Sequence, residues 1–256
     1  MKKIIHLSDL HIGFQDCGAK FRQIVSNLSF LKEPAGDYVI VITGDIVDNA
    51  TDETQKEEAL HSINLLKESG YTTLVIPGNH DYGTGSWGDP KYVKSFSETY
   101  FGIDNQTYPK LDVIEEAVFI GLDSMAEELH WYDRIFADGE LGKNQLGNLK
   151  IILDDPEFEN KKKIVYLHHH PFDFILSLQL KDRDDLRNVI ENKIDVLLFG
   201  HYHDDTNSAG RIFNGKWGIP RAYNAGSSTH KRGNTGYHRV MDLTKDPRSD
   251  YDAKFI

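Results

Sequence analysis

Aspartate, asparagine and histidine collect at five places in this chain, each directly after an apolar run. Asp9 and His11 follow Lys3 to Ser8, Asp45 and Asp48 follow Tyr38 to Thr43, and Asn79, His80 and Asp81 follow Thr72 to Ile76. His168, His169 and His170 follow Lys163 to Leu167, and His201 and His203 follow Ile194 to Phe199. Taken singly, each is an ordinary loop residue, and Pro77-Gly78-Asn79 reads as a turn. Gathered in one crevice, they would lose hydration and repel one another at a cost of several kcal/mol, which a divalent cation turns into a gain. Two aspartates, an asparagine carbonyl and four imidazoles, with no thiolate, suit Mn, Fe or Zn better than Mg or Ca. Seven donors are too many for one tetrahedral ion, and two ions sharing Asp45 account for the number.

The elements that must position these residues are readable from periodicity. The runs into Asp9, Asp45, Asn79, His168 and His201 are strands, the Tyr38 to Thr43 run being of the kind buried on both faces. Period two places Asp9 and His11 on one side of the first strand end. Helices are predicted over Phe21 to Leu31 (closed by Pro34 and Gly36), Asp52 to Ser69, Pro90 to Gly102, Lys143 to Leu153 and Asp182 to Asn192. Strand, helix, strand implies right-handed crossovers and parallel pairing. In open α/β sheets, ligands bind where strand carboxyl ends converge, so the five clusters are expected to meet there. Val118 to Leu122, Arg221 to Asn224 and Tyr237 to Leu243 read as further strands, Met125 to Gly139 as a loop, Asn214-Gly215 as a hairpin turn, and the last residues as a polar tail.

With 256 residues, 39% of them hydrophobic, the chain can bury a sizeable core, and no linker or repeat divides it; one domain over residues 1–256 is expected. Asp9 interrupts the N-terminal apolar segment before it reaches signal-peptide length, and no 18-residue apolar stretch is present, so a cytoplasmic location without a membrane span is expected. The single Cys17 excludes an intramolecular disulfide framework. A net charge of -11 without a long basic block argues against electrostatic capture of nucleic acid.

Asp9-x-His11, Gly44-Asp45-x-x-Asp48, Gly78-Asn79-His80-Asp81, His169-His170-Pro171 and Gly200-His201-x-His203, in that order, resemble the calcineurin-like metallophosphoesterase superfamily. The resemblance extends from residue 4 to Asn224-Ala225-Gly226-Ser227. It implies a four-layer αββα sandwich of two β-sheets flanked by helices. It further implies that Asp9, His11, Asp45 and His203 serve one ion and Asp45, Asn79, His169 and His201 the other. His169 is chosen as the first histidine of the family's His-His-Pro pattern, although a third histidine precedes the proline here. The resemblance makes His80 the general acid, with the Asp48 carboxylate orienting its ring.

The implied activity is hydrolysis of phosphoesters by a metal-bridging hydroxide, with a small diester or cyclic nucleotide slightly preferred and a phosphomonoester as the alternative. Asp9-Leu10-His11-Ile12-Gly13 also resembles the start of Mre11-type exonucleases, whose DNA-binding and coiled-coil partner regions have no counterpart in this chain. Asn49-Ala50 and Asp81 depart from the pattern of the protein phosphatases in the superfamily. A metal-poor scaffold binding protein partners is the non-enzymatic alternative, and the full ligand set speaks against it. Tyr82, Trp87, Trp131, Tyr132, Phe172 and Phe174 stand in loops after strand ends, where they either stack on a substrate or pack the loops down. Lys181 and Arg183 read as solvated charges, and His61, His130, His230 and His238 as surface histidines.

Overall fold

Strand residues of alternating parity are apolar on both sides in this chain, and that pattern sorts them into three buried layers. The computed structural model describes residues 3–125, 129, 138–172, 179–203, 211–229 and 238–253. β1 (Lys3–Leu7), β2 (Tyr38–Thr43) and β3 (Thr72–Ile76) run parallel in one sheet, which β9 (His238–Asp242) and β10 (Tyr251–Ala253) extend antiparallel in the order β10-β9-β1-β2-β3. β4 (Lys110–Ile114), β5 (Ala117–Gly121), β6 (Lys162–Tyr166), β7 (Val196–Phe199) and β8 (Arg221–Asn224) form the second sheet in chain order, parallel except at β4.

Ile4, Val39, Val41, Leu74 and Ile76 of the first sheet meet Phe119, Ile164, Tyr166, Val196 and Leu198 of the second. The opposite parity, including Ile5, Ile40, Ile42 and Val75, packs under α1 (Cys17–Leu28) and α2 (Glu53–Glu68), with Phe96 and Tyr100 of α3 (Lys91–Phe101) in the same cluster. Val118, Ile120, Val165, Leu167 and Leu197 pack under α4 (Lys143–Leu153) and α5 (Arg183–Ile190). Helix, sheet, sheet, helix is the expected four-layer sandwich. Full burial of each such aliphatic side chain contributes roughly 1.5 to 3 kcal/mol. Among the described residues no helix is long and apolar enough to cross a membrane.

Four sequence expectations need correction. β4 is an additional edge strand, its Leu111 and Val113 about half exposed, so no apolar run announces it. The supposed polar tail contains β10, held through Asp250 and Asp252 by ion pairs to Arg221, Arg211 and Arg239. Asn214-Gly215 turns the chain but makes no two-residue hairpin, because the Asn214 side chain bonds β8 instead, accepting from Ala222 N at 3.0 Å and donating to the Tyr223 hydroxyl at 3.0 Å. α1 starts at Cys17 and stops at Leu28, leaving Leu31 outside it. The expected loop with Trp131, Tyr132 and Phe136 lies outside the described residues, as do Phe174, His130, His230 and Tyr237.

Candidate metal centre

The ladder between β1 and β2 continues beyond the strands. Asp9 N donates to Gly44 O, His11 N to Asp45 O, Ile12 N to Ile46 O and Asp48 N to Ile12 O, each at 3.0 Å. Along this extension Asp9, His11 and Asp45 adopt left-handed backbone, with φ of 51°, 43° and 50°. For non-glycine residues that costs roughly 1 to 2 kcal/mol apiece. Asp9 and His11 are therefore brought together by two backbone kinks, and the expected period-two alternation is not what aligns them. His203, beyond the end of β7, completes a first half-site: its Nε2 lies 2.8 Å from Asp9 Oδ1 and 3.1 Å from His11 Nε2, which is 3.7 Å from Asp45 Oδ2.

The second half-site spans both sheets. His168 Nε2, His201 Nδ1 and Asn79 Oδ1 stand 3.0 to 3.1 Å from one another, and His168 Nε2 is 3.5 Å from Asp45 Oδ1. His169 is the histidine expected here. It belongs to the same cluster of three imidazoles, but the nitrogen facing Asn79 and Asp45 is that of His168, while His169 Nδ1 is paired with Ser124 Oγ at 2.8 Å. Strand parity explains the register. His168 continues the face of Ile164 and Tyr166, which looks across at the first sheet, whereas His169 continues the face of Val165 and Leu167.

Protonation can be assigned from partners that only accept. His168 Nδ1 lies 2.7 Å from the Thr43 carbonyl and so carries a hydrogen there, which turns Nε2 toward the half-site. Asn79 Nδ2 donates to Gly85 O at 2.7 Å, turning Oδ1 toward His168. His168 Nε2 and Asn79 Oδ1 thus face each other at 3.0 Å. Donors held about 2.0 to 2.2 Å from a common first-row ion at tetrahedral or octahedral angles sit roughly 3 to 3.5 Å apart, which both half-sites approach.

Electrostatics bear on the other donors. Burial pushes the His11 imidazole below its ordinary range and His201 well below it, so both are neutral. Burial alone would raise Asp9 and Asp45, but the surrounding imidazoles, led by His203 for Asp9 and His168 for Asp45, hold both carboxyls low. Neutral histidine and ionised aspartate are the forms that bind metal.

Model matching places residues 2–205 in the family described as calcineurin-like phosphoesterase. The chain belongs to that family. It is therefore a metal-dependent phosphoester hydrolase. It is 24% identical over 215 residues to a probable cyclic nucleotide phosphodiesterase of Coxiella burnetii, covering 79% of this chain and 76% of the relative. It is 27% identical over 253 residues to a probable glycerophosphodiester phosphodiesterase of Arcobacter nitrofigilis, covering 95% and 76%. The crystal structure of TT1561 of Thermus thermophilus shares the fold, with a TM-score of 0.62 at 13% identity over 100% of this chain and 99% of that one.

In this phosphoesterase His80 lies beside the first half-site, its ring edge-on to His11 at 4.7 Å between centroids. Its Nδ1 meets the backbone carbonyl of Asp48 at 2.6 Å. The Asp48 carboxylate, expected to orient His80, is 3.9 Å from that nitrogen and closer, at 3.3 Å, to His11 Nδ1. Asp48 thus contacts His80 through its main chain, and its side chain faces His11, a metal-donor candidate.

Three supports escaped the sequence reading. Asp81 is buried and accepts from Gly78 N, Ile46 N and Val47 N, tying the β2 and β3 loops together. Burial, with the Asp45 charge beside it, pushes its carboxyl up to about 7. Ser227 Oγ and Thr229 Oγ1 donate to Asp9 O and Leu10 O at 2.8 and 2.7 Å, clipping the β1 loop from the far end of the chain. Gly78 allows close approach, since a Cβ there would lie 2.4 Å from Asp45 Oδ1. The Asn79-His80-Asp81 spacing was the available signal for Asp81.

The aromatic residues divide. Tyr82 is buried, with its hydroxyl on Asp123 Oδ2 at 2.9 Å, and Phe172 stacks on Phe213, so both pack loops down. Trp87 is 46% exposed. Lys181 pairs with Asp138. His238, expected at the surface, is buried within the first sheet because β9 lies between β10 and β1.

Proposed function

We propose that this phosphoesterase hydrolyses a small phosphodiester, with a cyclic nucleotide included in that class, using two first-row divalent ions, Mn, Fe or Zn. Asp9, His11, Asp45 and His203 would hold one ion, and Asp45, Asn79, His168 and His201 the other. The observation that carries the reading is the convergence of His168 Nε2, His201 Nδ1 and Asn79 Oδ1 at 3.0 to 3.1 Å from one another, beside a carboxylate whose two oxygens look into different half-sites. When bound, the ions supply positive charge to the phosphoryl oxygens and lower the pKa of water.

The chain's own groups do the rest. Asp45 also accepts from His80 N at 2.9 Å, so the shared donor and the acid-bearing loop are one hydrogen-bonded unit. His80 donates Nδ1–H to a carbonyl, and its Nε2 is the atom from which a proton passes to the departing oxygen. The diester preference draws on the two phosphodiesterase relatives. One domain over residues 1–256 remains part of the proposal.

Elemental analysis of purified protein, paired with turnover of 3′,5′-cyclic nucleotide, bis(4-nitrophenyl) phosphate, 4-nitrophenyl phosphate and single-stranded DNA, tests it. Two ions per chain with diester turnover above monoester and DNA turnover are expected. Preference for the monoester or for DNA would overturn the substrate class. No bound ion and no turnover with added Mn, Fe or Zn would leave a protein-binding scaffold.

A further inference from the structure

After β3 the chain folds back over the residues it has just delivered. Gly83 and Gly88 form an antiparallel bridge, and Thr84 N donates to Trp87 O at 2.9 Å. The base of this hairpin is tied to the β2 loop by Ala50 N donating to Gly83 O at 2.8 Å, and Asp89 N closes it onto Tyr82 O at 2.9 Å. Inside it lies Gly85, with φ of 89°. Its carbonyl accepts the Asn79 amide, and a Cβ built on it would fall 2.3 Å from His80 Nε2 and 2.4 Å from His80 Cε1. One glycine therefore contacts both a metal-donor candidate and the proton-donor candidate.

We propose that Gly85 is a positioning residue for leaving-group protonation: its bare Cα is the wall that sets where His80 Nε2 stands, while its carbonyl fixes which end of Asn79 faces the second half-site. This rests on the phosphodiesterase reading and deepens it. The His80 ring is held at Nδ1 by the Asp48 carbonyl, on one side by His11 and at its Nε2 edge by Gly85. Any side chain at position 85 must displace that edge, and it must also adopt a backbone conformation that glycine alone takes without strain. In the step concerned, the oxygen of water forms the new P–O bond and its proton leaves to solvent. The bond to the leaving oxygen breaks with its electron pair, and the proton on His80 Nε2 passes to that oxygen. His80 regains a proton from solvent, so the sum is water plus diester giving monoester plus alcohol.

The test compares two methyl phosphodiesters, one with a 4-nitrophenyl and one with a simple alkyl leaving group, at saturating Mn with bound metal measured. Departing nitrophenolate needs little protonation, and departing alkoxide needs much. His80→Ala is expected to cut alkyl-ester turnover about 10²- to 10⁴-fold and nitrophenyl-ester turnover far less. Gly85→Ala should show the same asymmetry with both ions retained, and His80→Ala/Gly85→Ala should be no slower than His80→Ala. Equal losses on both esters, or losses that multiply in the double variant, overturn the positioning role. Should Gly85→Ala not fold, replacing residues 84–87 by two glycines removes the same carbonyl and wall; at Mn concentrations that fill both half-sites the same asymmetry is expected, and equal losses with both ions bound again overturn it. A wild-type enzyme inactive on both esters fails at the phosphodiesterase reading itself, before any variant is made.

Discussion

Three of the four donors in the first half-site, Asp9, His11 and Asp45, hang on the paired extensions of β1 and β2. The second half-site takes Asp45 and Asn79 from one sheet and His168 and His201 from the other. The first is thus set by a single loop pair, and its outlying donor, His203, is also its most exposed, at 32% of its side chain. The second depends on how the two sheets face each other, and its donors are buried. Sharing one carboxylate between a locally built site and one built across the sandwich makes Asp45 the point where both kinds of order meet.

Asp45→Asn strikes both half-sites and carries the largest expected effect. Bound metal should fall from two ions to at most one and diester turnover below detection, checked by elemental analysis and rate together. Retention of both ions would show that the half-sites do not share this donor. Next come the two adjacent histidines. His168→Ala should remove the ion of the second half-site and leave that of the first. His169→Ala, which alters a neighbour of the donors, should keep both ions and lower turnover about ten- to a hundredfold at most. The reverse pattern would restore the register taken from the His-His-Pro resemblance.

Asp48→Asn sharpens the comparison from the other side. Its carboxylate lies 3.3 Å from His11 Nδ1, so its loss should weaken metal affinity about ten- to a hundredfold in the first half-site alone. Because the main-chain carbonyl on His80 is kept, the ratio of alkyl- to nitrophenyl-ester turnover should not move. A changed ratio would mean that the carboxylate also governs His80. Competition with a chromophoric chelator measures the affinity.

What the sequence made legible was the set of strand ends, because buried parallel strands are continuous apolar runs and polar residues directly after them stand out. Period two also bears on the proposed histidine register: His168 shares its parity with Ile164 and Tyr166, a signal the motif pattern does not use. Less legible were features made by tertiary neighbours. β4 and β10 are edge strands without an apolar run, one half exposed and the other held by buried ion pairs. Ser227, which ends the resemblance, and Thr229 reach the β1 loop across more than 200 residues of chain, and nothing local to either hydroxyl names that loop as its partner. The left-handed kinks at Asp9, His11 and Asp45 lie along the β1–β2 ladder, and although Asp and His tolerate that conformation better than most residues, their types alone do not place it there.

The smallest expected effect concerns the face on which the second half-site is assembled. His6 lies between the sheets with Nε2 2.9 Å from Thr43 Oγ1, and the carbonyl of Thr43 in turn receives His168. Burial, reinforced by the Arg239 charge, pushes the His6 imidazole down to about 3. Its folded pKa is below the unfolded value near 6.5, so between pH 6.5 and 3 the unfolded chain binds the extra proton and stability falls as pH falls. The contribution is complete above about pH 6.5, and lowering pH from 7 to 5 should cost about 2 kcal/mol through this one group. His238, also depressed to about 3 by burial, adds a slope of the same sign. Urea unfolding of metal-stripped protein at pH 7 and pH 5 separates the two: His6→Gln should lose about 2 kcal/mol less than wild type over that interval. Equal losses would mean that His6 finds its proton in the folded state, and that the inter-sheet face beside His168 is more open to water than its burial indicates.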